Sequence, residues 1–281
     1  MNAYYHDAIL YDEPKRAHAG LEAVSNEGVV RTLEGATKVY KSVGNIRLHL
    51  FIFQPVGHKK GDNRPAIVFF RPRQFEEHCK YFSSRGMVAA TVEYRVMGRH
   101  GVTPFECIAD AKSAIRWVRS HAEELGVDPN RIVASGGSAG GYLAASVGII
   151  KRFDEEGEDL RVSSVPNALV LFNPLVDLSR FRDRFPRRWR EASPAHNVTE
   201  GVPPTIIFHG TEDRTIPFKE VLHFAEVMKK FGNRCELVPF EGKGHGFFNY
   251  ARDRQAYTET VRAADKFLAS LGHLQGPPTI T

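Results

Sequence analysis

The sequence predicts an α/β domain, a mostly parallel sheet covered by helices on both faces. Three observations carry that expectation. Apolar runs such as Ala66–Phe70 and Met87–Tyr94 lack the alternation of a half-exposed strand, so they read as strands buried on both sides. Amphipathic segments separate the runs, and Phe105–Leu125 gathers Ile108, Ala111, Ile115 and Val118 on one helical face. The strand at Ile132–Ala134 breaks at Gly136-Gly-Ser-Ala-Gly-Gly141 and resumes as a small-residue helix, Tyr142–Ile150. Strands alternating with helices in this way pair in parallel.

In chain order, residues 1 to 35 are polar and mixed, with a helix expected around Arg16–Asn26. They read as an N-terminal extension that packs on the main domain or helps cover the site. Thr37–Val43 and Arg47–Phe53 alternate about Gly44-Asn45, a hairpin signature at an antiparallel sheet edge. After a charged loop, Pro55–Arg64, come the strand Ala66–Phe70, a helix Phe75–Ser84 stopped near Gly86, and the strand Met87–Tyr94. The helix Phe105–Leu125 follows, and Asp128-Pro129-Asn130 turns the chain into the strand before the glycines. The second half repeats the rhythm: strands Asn167–Phe172, Thr205–His209 and Cys235–Phe240, helices Phe218–Phe231 and Arg252–Leu271. One domain over 36–271 is expected, with 178–200 as a candidate lid and 272–281 as a fraying tail.

Composition narrows the classes. A chain of 281 residues with 42% hydrophobic and 25% charged residues is ordinary for a globular protein. No apolar run approaches the roughly 20 residues needed to cross a bilayer. Residues 1–10 have neither a basic n-region nor an apolar h-region, so the expectation is a cytoplasmic protein, or a secreted one whose leader was removed. The net charge of +5 is spread among acids, which does not indicate nucleic acid or membrane insertion. Cys79, Cys107 and Cys235 lack metal spacing and read as reduced, buried thiols. No metal is expected.

Glycines flanking Ser138 between a strand and a helix form the G-x-S-x-G pattern of a nucleophile elbow. The strained turn needs small neighbours, and the helix N-terminus behind it suits a developing oxyanion. An incidental serine in a glycine-rich turn is the plainer alternative, and the partners decide between the two. The strand Thr205–His209 ends in His209-Gly-Thr-Glu-Asp213, and the strand Cys235–Phe240 ends in Glu241-Gly-Lys-Gly-His245. Open α/β sheets carry function at such C-terminal strand ends. A serine hydroxyl needs a base to accept its proton, a histidine titrates in the right range, and an aspartate fixes the imidazole tautomer. Ser138, Asp213 and His245 are therefore the candidate triad. Asp177, after an earlier strand, is the alternative acid.

The stretch from about Ala66 to Leu271 resembles the α/β-hydrolase serine esterases of the acetyl-esterase, lipase and BD-feruloyl-esterase-like group. The matching pieces are Glu93-Tyr-Arg95, Gly136–Gly141, Phe172-Asn-Pro174, Ser193-Pro194, His209–Asp213 and Gly244-His-Gly246. The resemblance implies the α/β-hydrolase fold and hydrolysis of small or short-acyl carboxylic esters through an acyl-enzyme, with no cofactor. A small-molecule ester is the expected partner, and a homodimer is compatible with it. An acetyl- or feruloyl-carbohydrate esterase is the nearest alternative, and a serine peptidase a weaker one. A non-catalytic binding protein on the same fold is the rival from another class.

One departure bears on that last reading. Such esterases carry a glycine-rich loop after the strand equivalent to Ala66–Phe70, whereas this chain has Phe70-Arg-Pro-Arg-Gln-Phe75. Ala139 N–H remains one oxyanion donor. Arg71, Arg73 or Gln74 must give the other, because Pro72 has no N–H. Loss of one donor typically costs about 10²–10³ in rate. Gly137, Phe70, Trp189 and Phe247 are the expected substrate contacts. The basic stretch Arg180, Arg182, Arg184, Arg187, Arg188 and Arg190 reads either as a lid favouring acidic or aromatic substrates, or, more plainly, as a solvated helix with Asp183 or Glu191 as partners.

Overall fold

The computed structural model describes residues 35–186 and 188–280. The expected extension and its helix around Arg16–Asn26 lie outside them. Among the described residues eight strands form one sheet: β1 (Ala36–Val43), β2 (Ile46–Phe53), β3 (Arg64–Phe70), β4 (Val88–Val92), β5 (Val127–Gly137), β6 (Ala168–Phe172), β7 (Thr205–Gly210) and β8 (Cys235–Phe240). Their order across the sheet is β1-β2-β4-β3-β5-β6-β7-β8. The hairpin β1–β2 turns at Gly44-Asn45 as expected, with Gly44 at φ 57°. It is antiparallel, as is β2–β4, and from β4 to β8 every pairing is parallel.

The helices are α1 (Glu76–Ser84), α2 (Met97–His100), α3 (Pro104–Ser120), α4 (Ala139–Ile149), α5 (Phe218–Lys230) and α6 (Arg254–Ser270). Alternate residues of each buried strand feed two cores. Val68, Ile132, Ala134, Leu169 and Leu171 meet α3, α4 and α5 on one face. Ile67, Phe69, Val133, Val170 and Phe172 meet α1 and α6 on the other. Each large aliphatic side chain so covered contributes about 1.5–3 kcal/mol, the main term opposing chain entropy.

Local sequence fixes the ends of these elements. Thr103 and Glu106 form a capping box ahead of Pro104, and Asp253 caps α6 by accepting Ala256 N–H at 3.0 Å. The helix expected to run to Leu125 stops at Ser120 instead. Beyond it Leu125 N–H closes on His121 O and Val127 N–H on Ala122 O, with Gly126 at φ 62° allowing the reversal into β5. The Glu93-Tyr-Arg95 piece acquires a structural meaning here. Arg95 grips Asp110 of α3 through Nε (2.9 Å) and Nη2 (2.7 Å), with Lys41 on the same carboxylate at 2.7 Å.

Two expectations need correction. The tail after α6 does not fray: Leu274 is buried, and Arg85 Nη2 donates to Gln275 O (2.9 Å) and Gly276 O (3.2 Å). Among its described residues the basic stretch is no α-helix. After the 3-10 turn Ser179–Phe181 it runs through turns, because its arginines are bound in different directions. Arg180 pairs with Glu220 of α5 at 2.6 Å, while Arg188 lies over the ring of Phe105 at 4.0 Å and within 3.7 Å of Glu191. The three cysteines are buried and unbridged. Among the described residues no helix is long and apolar enough to cross a membrane.

His78 on α1 is fully buried among Phe69, Phe75, Phe172, Phe248 and Tyr257. Desolvation lowers its pKa from 6.5 to about 3. An unfolded histidine takes up its proton as the pH falls through 6.5, but His78 in the fold stays neutral until about pH 3, so stability drains across that window and is unaffected above it. Urea unfolding at pH 7 and pH 4.5 should show His78→Leu losing about 2–3 kcal/mol less than the wild type. Equal losses would mean that His78 is solvated.

Candidate active site

The site grows from one abrupt junction. β5 ends at Gly137 and α4 begins at Ala139, leaving Ser138 alone between them at φ 55°, ψ −116°. A residue with a Cβ pays about 1–3 kcal/mol for such a conformation. The neighbours hold it there: Ser138 N–H donates to Phe172 O at 3.0 Å, and Ser138 O accepts Tyr142 N–H at 2.9 Å. Glycine makes the packing feasible. A Cβ on Gly136 would lie 2.4 Å from Gly140 C, and one on Gly140 would lie 2.1 Å from Phe70 O.

The next two loops are laced together beside the elbow. Glu212 N–H donates to Lys243 O at 3.0 Å, Gly242 N–H donates to Thr211 Oγ1 at 3.0 Å, and a Cβ on Gly210 would sit 2.2 Å from Lys243 O. That crossing brings His245 between Ser138 and Asp213. Asp213 Oδ2 accepts from His245 Nδ1 at 2.7 Å. A carboxylate only accepts, so in the neutral imidazole the proton sits on Nδ1 and leaves Nε2 bare. Nε2 then accepts the Ser138 hydroxyl at 3.0 Å. Ser138, His245 and Asp213 thus form one directed hydrogen-bond chain.

Asp213 is fully shielded and His245 is 23% exposed. Burial pushes the Asp213 carboxyl up, but the hydrogen bond and charge of His245 and the Ile216 N–H outweigh it and hold the carboxyl below its ordinary value. Its Oδ1 takes Thr215 N–H (2.8 Å) and Ile216 N–H (2.9 Å), and its Oδ2 also takes Asn173 Nδ2–H at 2.8 Å. Asp177, the alternative acid, caps its own turn through Ser179 N–H at 2.7 Å.

The other expected site residues divide. Ala139 opens α4, so its N–H is among those with no acceptor inside the helix. Arg71 stands at φ 108°, and its N–H donates to Val92 O at 3.3 Å, which commits it to the β3–β4 ladder rather than to an oxyanion. Arg73 opens the 3-10 turn Arg73–Phe75 directly after Pro72. Phe70 is wholly buried and Phe247 almost so. Phe248 and Phe75 close over Gly137. Trp189 packs edge-on to His196 at 4.8 Å, and among the described residues no hydrogen bond or ring contact ties it to the triad. Sequence reasoning missed Asn173, though the Phe172-Asn-Pro174 piece contained it. Among the described residues no group of three or more His, Cys, Asp or Glu side chains is placed to hold a metal.

Residues 71–185 match the family described as BD-FAE, and residues 181–270 match the prolyl oligopeptidase family. The esterase 2 of Thermogutta terrifontis phosphoramylated by tabun is 52% identical, covering 86% of this chain and 96% of that one, with a TM-score of 0.84. The chain belongs to the α/β-hydrolase serine esterases. The propionate-bound form of the same Thermogutta enzyme is 50% identical over 86% of this chain and 96% of its own, TM-score 0.83. Esterase LipC of Mycobacterium tuberculosis is 30% identical over 188 residues, 59% of this chain and 46% of LipC. The chain spans about half the length of the curated relatives it matches.

The glycine packing is the most exposed feature of this esterase site to a single methyl group. Gly140→Ala must push β3 and α4 apart at Phe70 O, and its urea midpoint should report a loss of about 1–3 kcal/mol. An unchanged midpoint would mean that the helix does not start against that strand.

Proposed function

We propose that the protein is a serine carboxylesterase acting on small or short-acyl esters through an acyl-enzyme. The observation that carries the reading is the directed chain from Ser138 Oγ through His245 to Asp213, at 3.0 Å and 2.7 Å, on a strained strand-to-helix junction. Ser138 attacks the ester carbonyl while His245 Nε2 takes its proton. His245 returns that proton to the leaving alcohol, and Asp213 stabilises the imidazolium between the two events. Water then repeats the sequence on the acyl-serine, and the acid leaves.

Ala139 N–H is one donor to the oxyanion, at the positive end of α4. The second donor is then Arg73 or Gln74 N–H: Arg71 N–H is turned to Val92 O, and Pro72 has none. A short acyl group is supported by the related Thermogutta enzyme, whose structures hold propionate and butyrate.

An acyl-chain series of p-nitrophenyl esters tests the reading. Turnover should be greatest for short chains and vanish in Ser138→Ala. Asp213→Asn should fall by about 10⁴ in kcat, because the imidazole loses its imposed tautomer. Equal turnover by wild type and Ser138→Ala would remove Ser138 from the chemistry, and silence of the wild type across the series would remove the esterase reading itself.

A further inference from the structure

Asn173 is the first residue beyond β6, wholly buried, at φ 41°. Asparagine is among the few side-chain-bearing residues that adopt this left-handed conformation readily. Its amide is used at both ends. Nδ2 donates to Asp213 Oδ2 at 2.8 Å, the same oxygen that accepts from His245, and Oδ1 accepts the N–H of Gly246, the residue after His245, at 3.2 Å. The orientation of the amide is unambiguous, because a carboxylate cannot donate and a backbone N–H cannot accept. The backbone of the same turn reaches the nucleophile: Phe172 O accepts Ser138 N–H at 3.0 Å, and Leu175 N–H donates to Ser138 O at 3.4 Å.

One turn therefore touches Ser138, Asp213 and the residue that follows His245, from strand ends far apart in sequence. We infer that Asn173 is a positioning residue, whose side chain sets His245 and Asp213 against each other while its turn holds Ser138. This rests on the esterase reading above. A structural residue could be lost at the expense of stability alone. A positioning residue must change the His245–Asp213 hydrogen bond itself. The charged and titratable groups around that bond are Asp213 itself, His209 beneath it at 3.5 Å, and Arg252, whose Nη1 donates to His245 O at 2.6 Å.

Two variants separate backbone from side chain. Asn173→Gly keeps the left-handed turn and deletes both side-chain bonds. Asn173→Asp keeps the turn and the acceptor for Gly246 N–H but replaces the donor with a second carboxylate. In Asn173→Gly, kcat for p-nitrophenyl acetate should fall by about 10–100-fold with KM changed less than about threefold, the scale expected when a base is displaced without loss of the binding surface. In Asn173→Asp the acid limb of the pH–rate profile should move to higher pH, because an added negative charge stabilises the imidazolium. The far-downfield proton resonance of His245 Nδ1–H, assigned by its absence in His245→Ala, should shift in both variants.

The resonance does not depend on turnover. If the wild type hydrolyses no ester but the resonance moves in the Asn173 variants, the esterase reading fails and the positioning role stands. If turnover, pH profile and resonance in both folded variants match the wild type, the positioning role is overturned while the esterase reading survives. Loss of kcat with an unmoved resonance and pH limb also overturns it, since that pattern belongs to a residue needed only for folding.

Discussion

Everything at the site depends on one constraint, the close approach of β3, β5 and α4 around Ser138. The serine occupies a backbone conformation that an isolated chain would avoid, at φ 55°. Parallel strands on both sides of β5 and a helix pressed against them leave no other path. The strain is stored because three separate elements would have to move to release it. The same geometry puts the Ser138 hydroxyl within 3.0 Å of His245 Nε2 and the N-terminus of α4 directly after it, so the proposed nucleophile and oxyanion donor follow from a single packing solution.

The remaining members are brought in by lacing rather than by burial alone. Asp213 could not stay ionised at its depth without partners, and it has four hydrogen-bond donors: His245, Asn173, Thr215 and Ile216. His245 lies on a loop anchored by the buried Phe247 and Phe248. It is held as well by Lys243 O meeting Glu212 N–H, by Arg252 on its carbonyl, and by Asn173 on the next N–H. The site is thus tied down at the buried Asp213 and half-open at His245.

Much of this was legible in the sequence. Strands buried on both faces announce themselves as unbroken apolar runs, and the glycine pattern at 136–141 is dictated by sterics that leave few substitutes. The order Ser138, Asp213, His245 followed because each lies just past a strand end. Other features were not legible, for physical reasons. The end of α3 at Ser120 depends on an αL glycine six residues later. The turns of the basic stretch depend on where Glu220 and Phe105 lie in space. The commitment of Arg71 N–H to Val92 could be seen only once β4 was placed beside β3. The bonds of Asn173 leave no local sign in the sequence, because both its partners, Asp213 and Gly246, are distant in the chain.

The proposed role of Ser138 as the nucleophile rests on the geometry at the elbow. Its most direct test is stoichiometric reaction with an organophosphate p-nitrophenyl ester, followed by mass spectrometry of the digested protein. One equivalent of nitrophenol should appear as ester hydrolysis is lost, with a single phosphoryl adduct on the peptide carrying Ser138. An adduct on another residue, or full hydrolytic activity after Ser138 is blocked, would contradict the account.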